Sequence, residues 1–137
     1  MASNFRRELV NFITPVKNKT AEVAVPAATT WFDTGIDLKP GDKVTIKASG
    51  TWKNAVNGTP VGPNGFGGDP LPGSTLDTAS FASLIGRIGT DGAPFFVGES
   101  FEREASATGR LFLQMNDIVG GLGDNSGELQ VTIEVKR

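Results

Sequence analysis

"ELQVTIEVK", residues 128–136, alternates apolar and polar side chains without a break. Leu129, Val131, Ile133 and Val135 fall on one face of an extended chain, and Gln130, Thr132, Glu134 and Lys136 on the other, because successive side chains of a strand point to opposite sides. Such a segment has one face in a core and one in water. The same period recurs in "AEVAV" (21–25), "TTWFDTGI" (29–36) and "KVTIKASGTW" (43–52). Further strands are expected at "SLIGRIG" (83–89), "PFFVG" (94–98), "FEREAS" (101–106) and "GRLFLQM" (109–115). Between two of them, "DLKPGD" (37–42) is a turn: Pro40 presets φ and Gly41 accepts a positive one. About eight short strands joined by turns predict an all-β fold, an antiparallel β-sandwich. Its core should hold Val44, Ile46, Trp52, Leu84, Ile88, Phe96, Leu111, Leu113 and the C-terminal aliphatics.

The chain has 137 residues, enough for one domain that buries a core without metal or disulfide staples. Lys and Arg number 13 against 15 Asp and Glu, and the basic residues are scattered, so nucleic acid is not an expected partner. Cysteine, histidine and tyrosine are absent. That excludes disulfides and removes the commonest general base, the usual zinc ligand and the phenolic acid from any catalytic kit. Glu99, Glu102 and Glu104 read as a solvated hairpin face, with nothing to pin two carboxylates across a cleft as glycoside hydrolysis needs. The chain is not expected to be an enzyme.

The N-terminal stretch "MASNFRRELVNFITPVKN" lacks a convincing cleavage pattern and is read as an extension, with a weak helix candidate over 5–13. The organisation expected is an N-terminal extension over 1–19 and a β-sandwich domain over 20–137. Without a signal peptide the expected location is the cytoplasm, with release by a non-Sec route left open. No segment is long and apolar enough for membrane insertion. One other segment refuses a strand reading: residues 54–77 are rich in glycine and proline, and a loop of that length in a compact domain is either disordered or functional.

"NDIVGGLGDNSGE", residues 116–128, carries the remaining chemistry. Asp117, Asp124 and Asn125 offer hard oxygen ligands, and the glycines at 120, 121 and 123 free the backbone to turn carbonyls inward, which suits calcium. The spacing is not that of an EF-hand. The same residues also suit a hairpin in which Asp and Asn cap backbone N–H groups. The residues alone leave both readings open.

The stretch "NDIVGGLGDNSGELQV" resembles the C-terminal signature of the LecA-type (PA-IL-like) bacterial galactophilic lectins. "PGDKVTIKASGTW" (40–52), "GPNG" (62–65) and "LIGRIG" (84–89) fall at fitting distances, and residues 1 to about 20 lie outside the resemblance. It implies a jelly-roll or galactose-binding-like sandwich with a calcium ion, Ca2+, completed by two sugar hydroxyls. Position by position, it implies Asp117 as a bidentate metal ligand, Asp124 and Asn125 as side-chain ligands, and the carbonyls of Gly121 and Ala55 as main-chain ligands. For carbohydrate binding it implies Asp117, Ile118, Gly121 and Asp124, with Ile118 as an apolar wall. Asp69 and Pro70 stand where the family has His-Pro, and Pro72 where it has Gln, so the sequence departs from the family at the residues that hold the primary hydroxyl of galactose. The partners implied are galactosides or related glycans. A homo-oligomer is also expected, since shallow sugar sites gain avidity from several copies. The rival expectation is a structural or assembly module whose calcium stabilises the loop without sugar; a lesser one is a targeting domain once joined to an enzyme.

Overall fold

The computed structural model describes residues 18–137. The helix candidate over 5–13 and nearly all of the extension over 1–19 lie outside the described residues. Nine strands form among them: β1 (Lys19–Pro26), β2 (Phe32–Leu38), β3 (Lys43–Ser49), β4 (Trp52–Lys53), β5 (Leu84–Ile88), β6 (Phe95–Phe96), β7 (Ser100–Glu104), β8 (Gly109–Met115) and β9 (Ser126–Lys136). One antiparallel sheet has the order β1-β9-β3-β7, with β4 also paired to β9; the other runs β2-β8-β5-β6. The two sheets pack face to face as a sandwich, as the period-2 pattern requires.

β9 is the central strand of the first sheet, and its pattern explains why. Leu129, Val131, Ile133 and Val135 are buried, while Gln130, Thr132 and Lys136 stay exposed. Each fully buried aliphatic side chain of this size contributes about 1.5–3 kcal/mol relative to exposure. A one-residue slip against β3, where Val44 faces Val135 and Ile46 faces Ile133, would turn the whole row to water.

Three expectations need correction. "KVTIKASGTW" is not one strand: Gly50 has φ 91 and breaks it, so β4 restarts at Trp52. Residues 29–31 are a turn and not part of β2, because Trp31 takes φ 44, which no strand accommodates. Phe96 is not core. It faces Ile85 across β5 and is 43% exposed, while Phe95 faces Gly86 and turns inward to stack on Phe101 with ring centroids 5.2 Å apart. Gly86 makes this possible, since a Cβ there would lie 3.1 Å from the Phe95 ring. Ile88 is only partly buried; the remaining expected core residues are buried.

Trp52 is the largest fully buried side chain, and its indole N–H donates to the Ala82 carbonyl at 2.8 Å. That bond ties the end of the first sheet to the entrance of β5 and fixes the end of the sandwich where the loops 54–58, 71–76 and 116–125 meet.

Candidate binding site

The loop 116–125 links β8 to β9 and is shaped by its own polar side chains. Asn116 is fully buried: its Oδ1 accepts from the Leu76 N–H at 2.9 Å, and its Nδ2 donates to the carbonyls of Leu76, Ala79 and Ser80. The Asp117 carbonyl accepts from both the N–H and the hydroxyl of Thr75, at 2.9 and 3.0 Å. The Val119 N–H donates to the Gly73 carbonyl at 3.3 Å. These bonds lay residues 73–76 along one side of the loop. Asn116 and Thr75 do this positioning, and the sequence reading assigned neither; the signal available was an Asn immediately before Asp117.

Asp117 is 4% exposed, and its Oδ1 accepts from the Ile118 N–H at 2.6 Å. The ion pairs among the described residues involve Arg110, Lys136 and Arg137, so none of them neutralises Asp117. A buried carboxylate with no cationic partner is costly unless something else compensates it.

Gly121 lies against this carboxylate: a Cβ there would sit 3.3 Å from Asp117 Oδ1 and 3.0 Å from the Ile118 carbonyl oxygen. Its φ is −96, so the position is sensitive to crowding and not to backbone handedness; Gly120, with φ 82, carries the left-handed turn. A single 3-10 turn, Leu122–Asp124, follows, anchored by the buried Leu122. The turn leaves Asp124 exposed at the mouth.

Asn125 closes the loop. It is 7% exposed, and its Nδ2 donates to the Ala27 carbonyl at 3.0 Å and to Met115 Sδ at 3.3 Å. Those acceptors fix which end of the amide is nitrogen. The other end, Oδ1, is buried with no hydrogen-bond partner among the described residues. Buried polar atoms are nearly always satisfied, so an orphaned acceptor asks for an explanation.

β4 brings Ala55 to the same corner, because Lys53 pairs Ser126 and the Ser126 hydroxyl donates to the Ala55 carbonyl at 3.4 Å. That carbonyl also accepts from the Gly58 N–H at 3.0 Å, which closes the 55–58 turn.

Together these elements border an open depression lined by Asn54, Leu71, Phe81, Asp117, Ile118, Val119, Gly120, Gly121 and Asp124. Its floor is acidic and its walls apolar. Ile118 and Val119 are 41% and 75% exposed, beside Leu71 at 44%. Of the residues expected at the site, Asp117, Ile118, Gly121 and Asp124 line it, while Asn125 and Ala55 stand beside it. Asp69 is exposed and does not line it, and Pro72 is likewise exposed on the outside. Leu71 comes to the depression in their stead, because the 73–76 stretch is bonded to the 116–119 loop and sets the register of the chain before it.

The described residues contain no cluster of three or more acidic, His or Cys side chains. A cation here would instead be held by the Asp117 and Asp124 carboxylates, the Asn125 Oδ1 and main-chain carbonyls. That is the hard oxygen set calcium takes, and it would satisfy both the uncompensated Asp117 and the orphaned Asn125 oxygen.

The chain is thus an antiparallel β-sandwich with a polar loop site at one end. A sequence profile of the PA-IL-like proteins matches residues 21–137, and the chain belongs to this family. It is similar to a protein named Lectin A from Photorhabdus laumondii subsp. laumondii, with 32% identity over 105 residues, covering 75% of this chain and 80% of that protein. Its fold is similar to the solved N-terminal domain of EclA, described as a PllA-like lectin: TM-score 0.66, 29% identity, 85% of this chain and 96% of that one covered. Membership places the chain among carbohydrate-binding lectins.

Proposed function

We propose that this protein binds carbohydrate, galactose or a related sugar, through a calcium ion held by the 117–125 loop. The residues that would hold it are Asp117 and Asp124 by their carboxylates, Asn125 by its Oδ1, and Gly121 and Ala55 by their carbonyls. Bound calcium supplies coordination positions that vicinal hydroxyls fill well, since both are hard partners. The carboxylates of Asp117 and Asp124 accept hydrogen bonds from the same hydroxyls, and an ionised acceptor makes these stronger than neutral ones. Ile118, Val119 and Leu71 offer apolar surface to the C–H face of the ring.

The observation that carries this reading is the buried pair of unmet needs in one loop: among the described residues, the Asp117 carboxylate has no cationic partner and the Asn125 Oδ1 has no donor. An open, shallow site of this kind binds single sugars weakly, so the working form is a homo-oligomer that engages several glycans at once. Calcium titration by calorimetry tests the ion, and galactoside titration with calcium or with EDTA tests the sugar. Calcium binding with no sugar binding would favour a stabilising ion in a structural module.

A further inference from the structure

The outer faces of the two sheets differ in kind. The first presents Gln130, Thr132 and Lys136 to water, as an antiparallel sheet with one buried face should. The second presents aromatic rings around an arginine. Arg87 faces Phe112 across β5 and β8, so the two side chains share the outward face.

The Arg87 guanidinium is clamped between two rings, with its Cζ 4.4 Å from the Trp31 ring centroid and 5.5 Å from that of Phe112. Its Nε is buried and has no hydrogen-bond partner among the described residues. The nearby acids are already taken: Asp33 and Asp37 both bond to Arg110, at 2.9 and 2.7 Å. No described carboxylate lies within ion-pair distance of Arg87. Trp31 holds its place over Arg87 at a strained φ of 44, with its N–H donating to Gln114 Oε1 at 3.0 Å, and Gln114 is 1% exposed. Strain of this sort persists where surrounding contacts over-determine a residue, and it clusters at ligand sites.

A half-buried charge without a counter-ion is costly, and ring faces offset only part of that cost. What the clamp leaves is a planar fork held against two rings, the form in which Arg best donates two parallel hydrogen bonds to a carboxylate. Trp31 and Phe112, both partly exposed, leave apolar surface beside the fork for the C–H face of a ring.

We propose that Arg87, with Trp31 and Phe112, forms a second binding site that takes the carboxylate of an acidic sugar such as a uronic acid. This site requires no metal and does not depend on the 117–125 loop.

The test is a titration of the full chain with glucuronate, and with glucose as its neutral counterpart, in EDTA, following the Arg87 Nε–Hε resonance and tryptophan fluorescence. Glucuronate should move the Arg87 resonance and glucose should not. Arg87→Gln should weaken glucuronate binding at least about tenfold by removing both charge and fork, and Arg87→Lys should weaken it too, because a point charge cannot bond bidentately. The thermal midpoint of each variant reports whether it folds; if Arg87→Gln does not, the wild-type resonance decides. An Arg87 resonance unmoved by glucuronate, or equal glucuronate affinity in folded Arg87→Gln, overturns the proposal.

Discussion

Asn116 grips Leu76 at both main-chain groups, accepting from its N–H at 2.9 Å and donating to its carbonyl at 3.0 Å. Through this pair a residue just before Asp117 sets the course of a wall more than thirty residues upstream. Asn116→Ala leaves several buried main-chain groups unmet, each costing about 1–3 kcal/mol. The thermal midpoint should fall, and calcium affinity with it, because the wall and loop are one bonded unit. A wild-type midpoint in Asn116→Ala would mean that the wall is held by other contacts.

Asp117→Asn should act with opposite sign in two conditions. In calcium the variant loses charge and bidentate bite, so calcium affinity should drop at least about tenfold. In EDTA it should be as stable as wild type or more so, because the substitution removes a buried charge that no cation compensates. Thermal melts with and without chelator check both; equal calcium affinity in the two proteins would remove Asp117 from the ligand set.

Gly120→Ala and Gly121→Ala should separate handedness from crowding. At Gly120, φ 82 with open space around the Cα predicts a loss of about 1 kcal/mol of stability from the left-handed backbone. At Gly121 the backbone is ordinary, but the new methyl presses on the Ile118 carbonyl and the Asp117 carboxylate, so calcium affinity should suffer more than stability. Calorimetry of calcium binding beside denaturant unfolding tells the two apart.

Much of this was legible in the sequence, and what was not has local causes. The strands follow from the period of two, which survives wherever one face is buried. Periodicity could not show which of Phe95 and Phe96 turns inward, because the choice rests on the missing Cβ of Gly86 on another strand. It could not foresee the break at Gly50 or the turn at Trp31, since a positive φ at Trp31 is fixed by a bond to Gln114, eighty-three residues away. The oxygen donors of the 117–125 loop are contiguous in the chain and so could be read directly. The opposite wall could not: counting through the glycine- and proline-rich stretch put Asp69 at the site, whereas bonds from Gly73, Thr75 and Leu76 bring Leu71 there.

The exposed β2–β8 ion pairs predict a mild acid dependence. The Gly35 N–H, and after it Arg110, hold the Asp33 carboxyl below its ordinary value of 3.8. A lowered folded-state value means that this contribution is present above the ordinary value and fades as pH falls through the lowered one. Because the group is exposed, Asp33→Asn should barely alter stability at neutral pH. It should also flatten the decline in strong acid slightly, as acid titrations of the thermal midpoint would show.

The most direct measurement is a glycan array probed in calcium and again in EDTA. Neutral glycans, galactosides among them, should be retained in calcium, released by EDTA, and recovered when calcium is restored. Retention of the same neutral glycans at the same strength in EDTA would contradict a sugar site built on a calcium ion at Asp117, Asp124 and Asn125.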